Sequence, residues 1–150
     1  MHRPGYPHTY EIILEIEESL RKITHLMKQK NRELLQQFNI TPPQFLALQW
    51  LYEEGELTIG DLSSKMFLAC STITDLIDRM ERHDLVERVR DTSDRRVVRL
   101  YLRPKGKQLF EEIVEAKRTY LSRILATYSP EEVQRLGRFL KRLYQDLSLI

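Results

Sequence analysis

The sequence predicts a mostly helical α+β fold, on three observations. Apolar residues recur at three- and four-residue steps over most of the 150 positions. Helix starts are marked three times by Ser or Thr followed three residues later by Gln, Asp or Glu. The period switches to two only around "LVERVR" and "VVRLYL", as in half-buried strands.

Each element follows in order. From about Thr9 to Phe38, Ile13, Ile16, Leu20, Ile23 and Met27 form one stripe that Leu34, Leu35 and Phe38 extend. In "ITPPQFLALQWLYEEG", Thr41 caps, Pro42 opens the helix and Gln44 completes a capping box. Phe45, Leu48 and Leu51 or Tyr52 face inward, and Gly55 ends the helix. "LTIGDLSSKMF" repeats the logic, with Thr58 as cap, Asp61 reaching back, and Leu62 and Met66 packing. "ACSTITDLIDRMERHD" is a third helix with the stripe Ile73, Leu76, Ile77 and Met80, and with Thr72, Asp75 and Arg79 opposite. A β-hairpin comes next, its strands joined by the polar turn "DTSDR". After Pro104 and Gly106 a long helix carries Leu109, Ile113, Ala116, Tyr120 and Ile124. Ser129, Pro130 and Glu132 then open a last helix with Val133, Leu136, Leu140, Leu143 and Leu147 on one face.

The middle of this order is a winged helix-turn-helix. The terminal helices carry stripes that need burial, either against the same elements of a second chain or in a bundle within one chain. The expected division is one domain over 1–150. Its DNA-binding lobe spans about 41–105, and helices over about 9–38 and 106–150 form a dimerisation lobe.

Hydrophobic residues make up 41% and charged residues 31%, a folding rather than a disordered composition. The single cysteine, Cys70, rules out an intramolecular disulfide and fits a reducing, cytoplasmic setting. Glu11, Glu15, Glu17 and Glu18 interrupt any apolar run that a signal peptide would need, and no segment has membrane-spanning length. No glycine-rich phosphate loop, nucleophile elbow or metal-ligand cluster points to an enzyme or to a cofactor. His2, His8, His25 and His83 are widely spaced, so no metal site is expected.

The chain's formal charge is only +2, but its distribution is uneven. From Arg88 to Lys105, seven bases face two acids, leaving the rest of the chain net negative. Arg95, Arg96 and Arg99 sit in this hairpin, where they serve either to keep an edge strand soluble or to grip phosphate. Asp94 can hold one neighbouring guanidinium and leave the other free. Beside the helix pair, phosphate binding is the better reading.

The helix from Cys70 is the candidate reader. Ser71, Thr72 and Thr74 can approach bases or phosphates, and the first-turn N–H groups favour an anion. Arg79 reaches a phosphate or guanine edge, unless it pairs with Asp75 four residues earlier.

These segments together resemble the MarR family of transcriptional regulators. The resemblance runs in order through "ITPPQFLALQWL", "LTIGDLSSKM", "STITDLIDRMERHDLVERVRDTSDRRVVRLYLRPKG" and "YSPEEV", with the "DRR" of Asp94, Arg95 and Arg96 its most diagnostic piece. It implies a homodimer that binds an inverted-repeat operator in double-stranded DNA. The helix from Cys70 would enter the major groove, and the wing, with Arg95 near its tip, the minor groove. It also implies a repressor released by a small aromatic or anionic effector or by an oxidant. Three departures stand out: "HDL" where the family ends the reading helix in glycine, Asp75 at a position commonly basic, and Arg103 in place of a capping threonine. For an effector pocket, Tyr10, His25, Trp50 and Tyr120 are candidate lining residues, each of which plain core packing would also explain. Cys70 is the candidate redox group, since a helix N-terminus can lower a thiol pKa.

Overall fold

The structure, a computed structural model, describes residues 4, 5 and 7–150; His2 lies outside them. The chain divides into two compact units, Met1–Ile113 and Val114–Ile150. The element order is α1 (Tyr10–Gln37), α2 (Pro42–Glu54), β1 (Glu56–Thr58), α3 (Ile59–Met66), α4 (Cys70–Arg82), β2 (Val86–Arg90), β3 (Val98–Leu102), α5 (Pro104–Leu125) and α6 (Pro130–Leu147).

In the first unit, every buried apolar side chain falls between Leu35 and Ile113. The core gathers Leu48 and Leu51 from α2, Leu62 and Met66 from α3, Ile73, Ile77 and Met80 from α4, Val86 and Leu100 from the strands, and Phe110 from α5. Phe110 stacks on Phe45 with ring centres 5.5 Å apart, which ties the start of α5 to α2. Of the alternatives at the inward face of α2, Leu51 is buried, while Tyr52 is more exposed and donates its hydroxyl to Glu111 at 3.1 Å.

Local sequence sets the helix ends. Thr41 and Gln44 form a complete capping box at α2, as do Thr58 and Asp61 at α3 and Ser129 and Glu132 at α6. Gly55, at φ +86°, supplies the left-handed turn after α2. After α4 the glycine-like turn is taken by Asp84 at φ +60°, which a short polar side chain tolerates better than most.

The sheet has three antiparallel strands in the order β1-β3-β2, one more than the hairpin the alternation predicts. Leu57 of β1 faces Leu100, and Val89 of β2 faces Arg99. β1 is three residues long, too short to show a two-residue period.

The Asp61 carboxylate accepts the Thr58 N–H at 3.1 Å. That bond, seconded by the Thr58 hydroxyl, holds the carboxyl below its ordinary range. A depressed folded pKa gives stability that is present above the unfolded value and lost as pH falls through the folded one. Acidification through the carboxylate range therefore lowers the melting temperature of the native chain more than that of Asp61→Asn, whose amide keeps an acceptor but does not titrate there. Parallel melts from pH 6 to pH 2.5 measure the difference.

In the second unit, α6 buries none of its side chains, and Phe139, Leu140, Leu143 and Leu147 are exposed. In the first unit, Ile16, Leu20, Ile23 and Met27 on α1 are exposed as well. Much of each of these two stripes is thus exposed, although Leu35 at the end of the α1 stripe is buried.

Candidate nucleic-acid interface

Helix α4 is fixed by one face and displays the other. Ile73, Ile77 and Met80 are fully buried and Leu76 is half-buried. Truncating any of the three to alanine costs about 2–5 kcal/mol, so the helix has little freedom to roll. Ser71, Thr72, Asp75 and Arg79 consequently stand exposed, and Thr74 is half-buried. The Thr74 hydroxyl donates to the Cys70 carbonyl at 2.9 Å, so only its lone pairs are left for another partner. Among the described residues Arg79 makes no ion pair, with Asp75 or any other acid.

The start of α4 differs from those of α2, α3 and α6. Its N-cap is Ala69, which offers no side-chain acceptor, so the first-turn N–H groups are left for water or an anion. Cys70, the first residue of the helix, is an exposed free thiol.

The wing is riveted to this helix. Arg88 of β2 forms ion pairs with Asp78 and Glu81 of α4, and its backbone N–H donates to Glu81 at 3.2 Å. On the same sheet, Arg99 lies between Glu56 of β1 at 3.5 Å and Asp91 at 3.9 Å. Glu56 also accepts from Tyr101, which lifts that phenol above its ordinary range.

The wing tip closes on itself. Asp91 accepts from Ser93 at 3.0 Å and from the Asp94 N–H at 3.2 Å. Asp94 takes the Arg96 guanidinium in a two-point grip, at 3.2 and 3.3 Å, together with the Arg96 N–H at 3.1 Å. The side-chain bond from Arg96, with the backbone bond second, holds the Asp94 carboxyl below its usual range. Arg95 is exposed and, among the described residues, has neither a hydrogen bond nor an ion pair. The carboxylate thus holds one guanidinium and leaves its neighbour reaching outward.

This corrects the charge count. Of the seven bases from Arg88 to Lys105, Arg88, Arg96 and Arg99 are neutralised by acids, and Arg103 lies 4.0 Å from Asp84. Arg90, Arg95 and Lys105 have no acidic partner among the described residues. The free charge is smaller than the sequence count, and two of its three carriers flank the wing tip. Nothing in the local pattern of the sequence separates unpaired Arg90 from paired Arg88, since both lie in the alternation of β2.

The candidate effector residues lie on α1, α2 and α5. Tyr10 opens α1 half-buried and His25 is exposed further along it; at 1.5 Å per residue they lie roughly 22 Å apart, too far for one small ligand to touch both in one chain. Trp50 is half-buried on α2, with the Lys65 ammonium 4.7 Å from its ring centre and its indole N–H buried without a partner among the described residues. Tyr120 is half-buried on α5, in the second unit. Among the described residues no group of His, Cys, Asp or Glu is placed to hold a metal ion, and no helix is long and apolar enough to cross a membrane.

An anchored helix with an open N-terminus, preceded by α3 and followed by a braced wing, defines a winged helix-turn-helix DNA-binding regulator. The chain belongs to the MarR family, whose model matches residues 40–98. It is 50% identical over 91% of its length to the HTH-type transcriptional regulator YsmB of Bacillus subtilis, covering 94% of that protein. It is 48% identical to a MarR family protein of Bacillus stearothermophilus whose structure superposes with a TM-score of 0.84, covering 94% of this chain and 99% of that one. A mutant of Staphylococcus aureus MepR, solved bound to an oligodeoxyribonucleotide, is 27% identical with a TM-score of 0.71, covering 88% and 97%. The protein is therefore a DNA-binding transcriptional regulator of the MarR family and not an enzyme.

Proposed function

We propose that the protein acts in the cytoplasm as a homodimer that binds an inverted-repeat operator and represses transcription. The observation that carries this reading is Arg95, exposed at the wing tip and without an acidic partner among the described residues, on a wing that Arg88 braces against the reading helix and whose tip Arg96 closes.

In the proposed division of labour, residues 41–105 bind DNA and the helices over 9–38 and 106–150 pair two chains. The open stripes on α1 and α6 support the pairing, since exposed apolar faces of this length favour burial against a second copy. The first turn of α4, with Ser71 and Thr72, takes phosphates and base edges in the major groove. Thr74 accepts a hydrogen bond, Asp75 accepts from a cytosine amino group, and Arg79 takes a guanine edge or a phosphate. Arg95 enters the minor groove, while Arg96 and Arg99 hold the wing in shape. Two half-sites lie about 10 base pairs apart, so a bound dimer covers promoter DNA and blocks its use.

A small aromatic or anionic effector that loosens this grip is the companion proposal. Its anchor in the first unit is Trp50, for its unpartnered indole N–H and the adjacent Lys65 cation. Selection of bound sequences from random duplex DNA tests the main reading. It is expected to recover an inverted repeat bound by two chains, which lowers reporter expression when placed in a promoter. Recovery of no common sequence, or of a single unrepeated site bound by one chain, contradicts it.

A further inference from the structure

Phe67, the first residue past α3, stands in the left-handed region at φ +55°, ψ +40°. It is also 93% exposed, far beyond Leu46 at 38%, Tyr52 at 40% and Val89 at 44%, the other exposed large apolar side chains between α2 and β3. Left-handed backbone crowds the Cβ of any L-residue, which is why turns of helix-turn-helix motifs often use glycine. An exposed ring recovers none of that cost by burial.

The turn does not need the ring. The Phe67 N–H donates to the Ser63 carbonyl, as does the Leu68 N–H at 3.2 Å. The Ser63 hydroxyl closes the turn on the Leu68 carbonyl. All three bonds would form with glycine at position 67. The ring therefore leaves the left-handed strain uncompensated, and it sits three residues before Cys70, the first residue of α4.

We propose that Phe67 is a specificity-determining DNA contact, its ring packing on a thymine C5-methyl at the edge of each half-site. The inference rests on the DNA-reading role of α4 argued above. The ring carries no charge and no donor, so a phosphate is a poor partner. The one apolar group displayed in the major groove is the thymine methyl, and aromatic side chains are among those that pack on it.

The test compares Phe67→Gly and Phe67→Leu in the full chain with the native protein. Each is titrated on the selected operator and on copies in which single thymines are replaced by deoxyuridine, which removes only the methyl. Phe67→Gly is expected to melt a few degrees higher, about 2–4 °C, because strain is relieved and no packing is lost. Its affinity is expected to fall about tenfold with an unchanged salt dependence, and Phe67→Leu to retain most of the affinity. Deoxyuridine at one symmetric pair of positions should weaken the native protein several-fold and leave Phe67→Gly unaffected.

Native-like affinity in Phe67→Gly, with the native chain still binding in a strongly salt-dependent way, overturns the inference and leaves the DNA-binding reading standing. A native chain that binds no DNA overturns both. Equal deoxyuridine penalties in both proteins overturn the assignment to a methyl, and a lower melting temperature in Phe67→Gly overturns the premise that the ring does nothing for the fold.

Discussion

Gly106→Ala is expected to lower the melting temperature by roughly 6–12 °C, the equivalent of about 3 kcal/mol. A Cβ built on this glycine meets the Leu85 carbonyl oxygen at 2.1 Å and its carbon at 3.0 Å. Both are backbone atoms, so no flexible side chain can swing aside. The same carbonyl accepts the Arg103 N–H at 3.0 Å, and the Leu85 N–H donates to Met80 at 3.0 Å. One residue thus joins the end of α4, the start of the wing and the start of α5, and the added methyl forces these apart. Gly137→Ala is the control. A Cβ there meets nothing within 4 Å, and in the middle of α6 alanine should stabilise by about 0.5–1 kcal/mol. Thermal melts followed by circular dichroism read both. A Gly106→Ala protein that melts with the native chain would show that α5 does not cross Leu85 this closely.

Arg95→Ala is expected to weaken DNA binding by about tenfold or more and to reduce the salt slope by about one counterion. The guanidinium has no internal partner, so its removal leaves no buried charge and the melting temperature should not move. Arg95→Lys separates charge from shape. It should keep the salt slope yet lose affinity, because an ammonium is more strongly hydrated than the planar guanidinium and suits a narrow minor groove less well. Arg96→Ala works differently, since it frees the Asp94 carboxylate and removes the tip's two-point grip. Fluorescence anisotropy over a range of salt concentrations distinguishes the three variants. An Arg95→Ala protein with native affinity and slope would remove the wing tip from the interface.

Much of this architecture is legible in the sequence because it rests on local chemistry. The capping boxes at Thr41, Thr58 and Ser129 locate three helix starts, since the bonds they make span only three residues. The stripe Ile73, Ile77 and Met80 fixes which face of α4 is outward. Asp84 takes the left-handed turn because the chain has no glycine at the end of α4, and aspartate tolerates that conformation better than the neighbouring His83.

What escapes the sequence depends on partners far along the chain. β1 becomes a strand only by pairing with β3, more than forty positions on. Charge counting credits Arg88 and Arg99 to a phosphate-binding patch, because Asp78, Glu81 and Glu56 are brought to them only by folding. Phe67 lies in a three-residue turn outside any periodic pattern, and neither its conformation nor its exposure leaves a local mark. Tyr10 and His25 are aromatic and polar enough for a pocket, but about four turns of α1 separate them.

In the proposed complex the α4–wing unit acts in pairs, with a fixed separation set by the dimer. The most direct test of this pairing is the affinity of the native protein for its selected inverted repeat with and without five base pairs inserted between the half-sites. Half a helical turn puts the second half-site on the opposite face of the duplex. Affinity is then expected to fall to that of a single half-site. Equal affinity for the two duplexes would show that the two units are not held at a fixed separation.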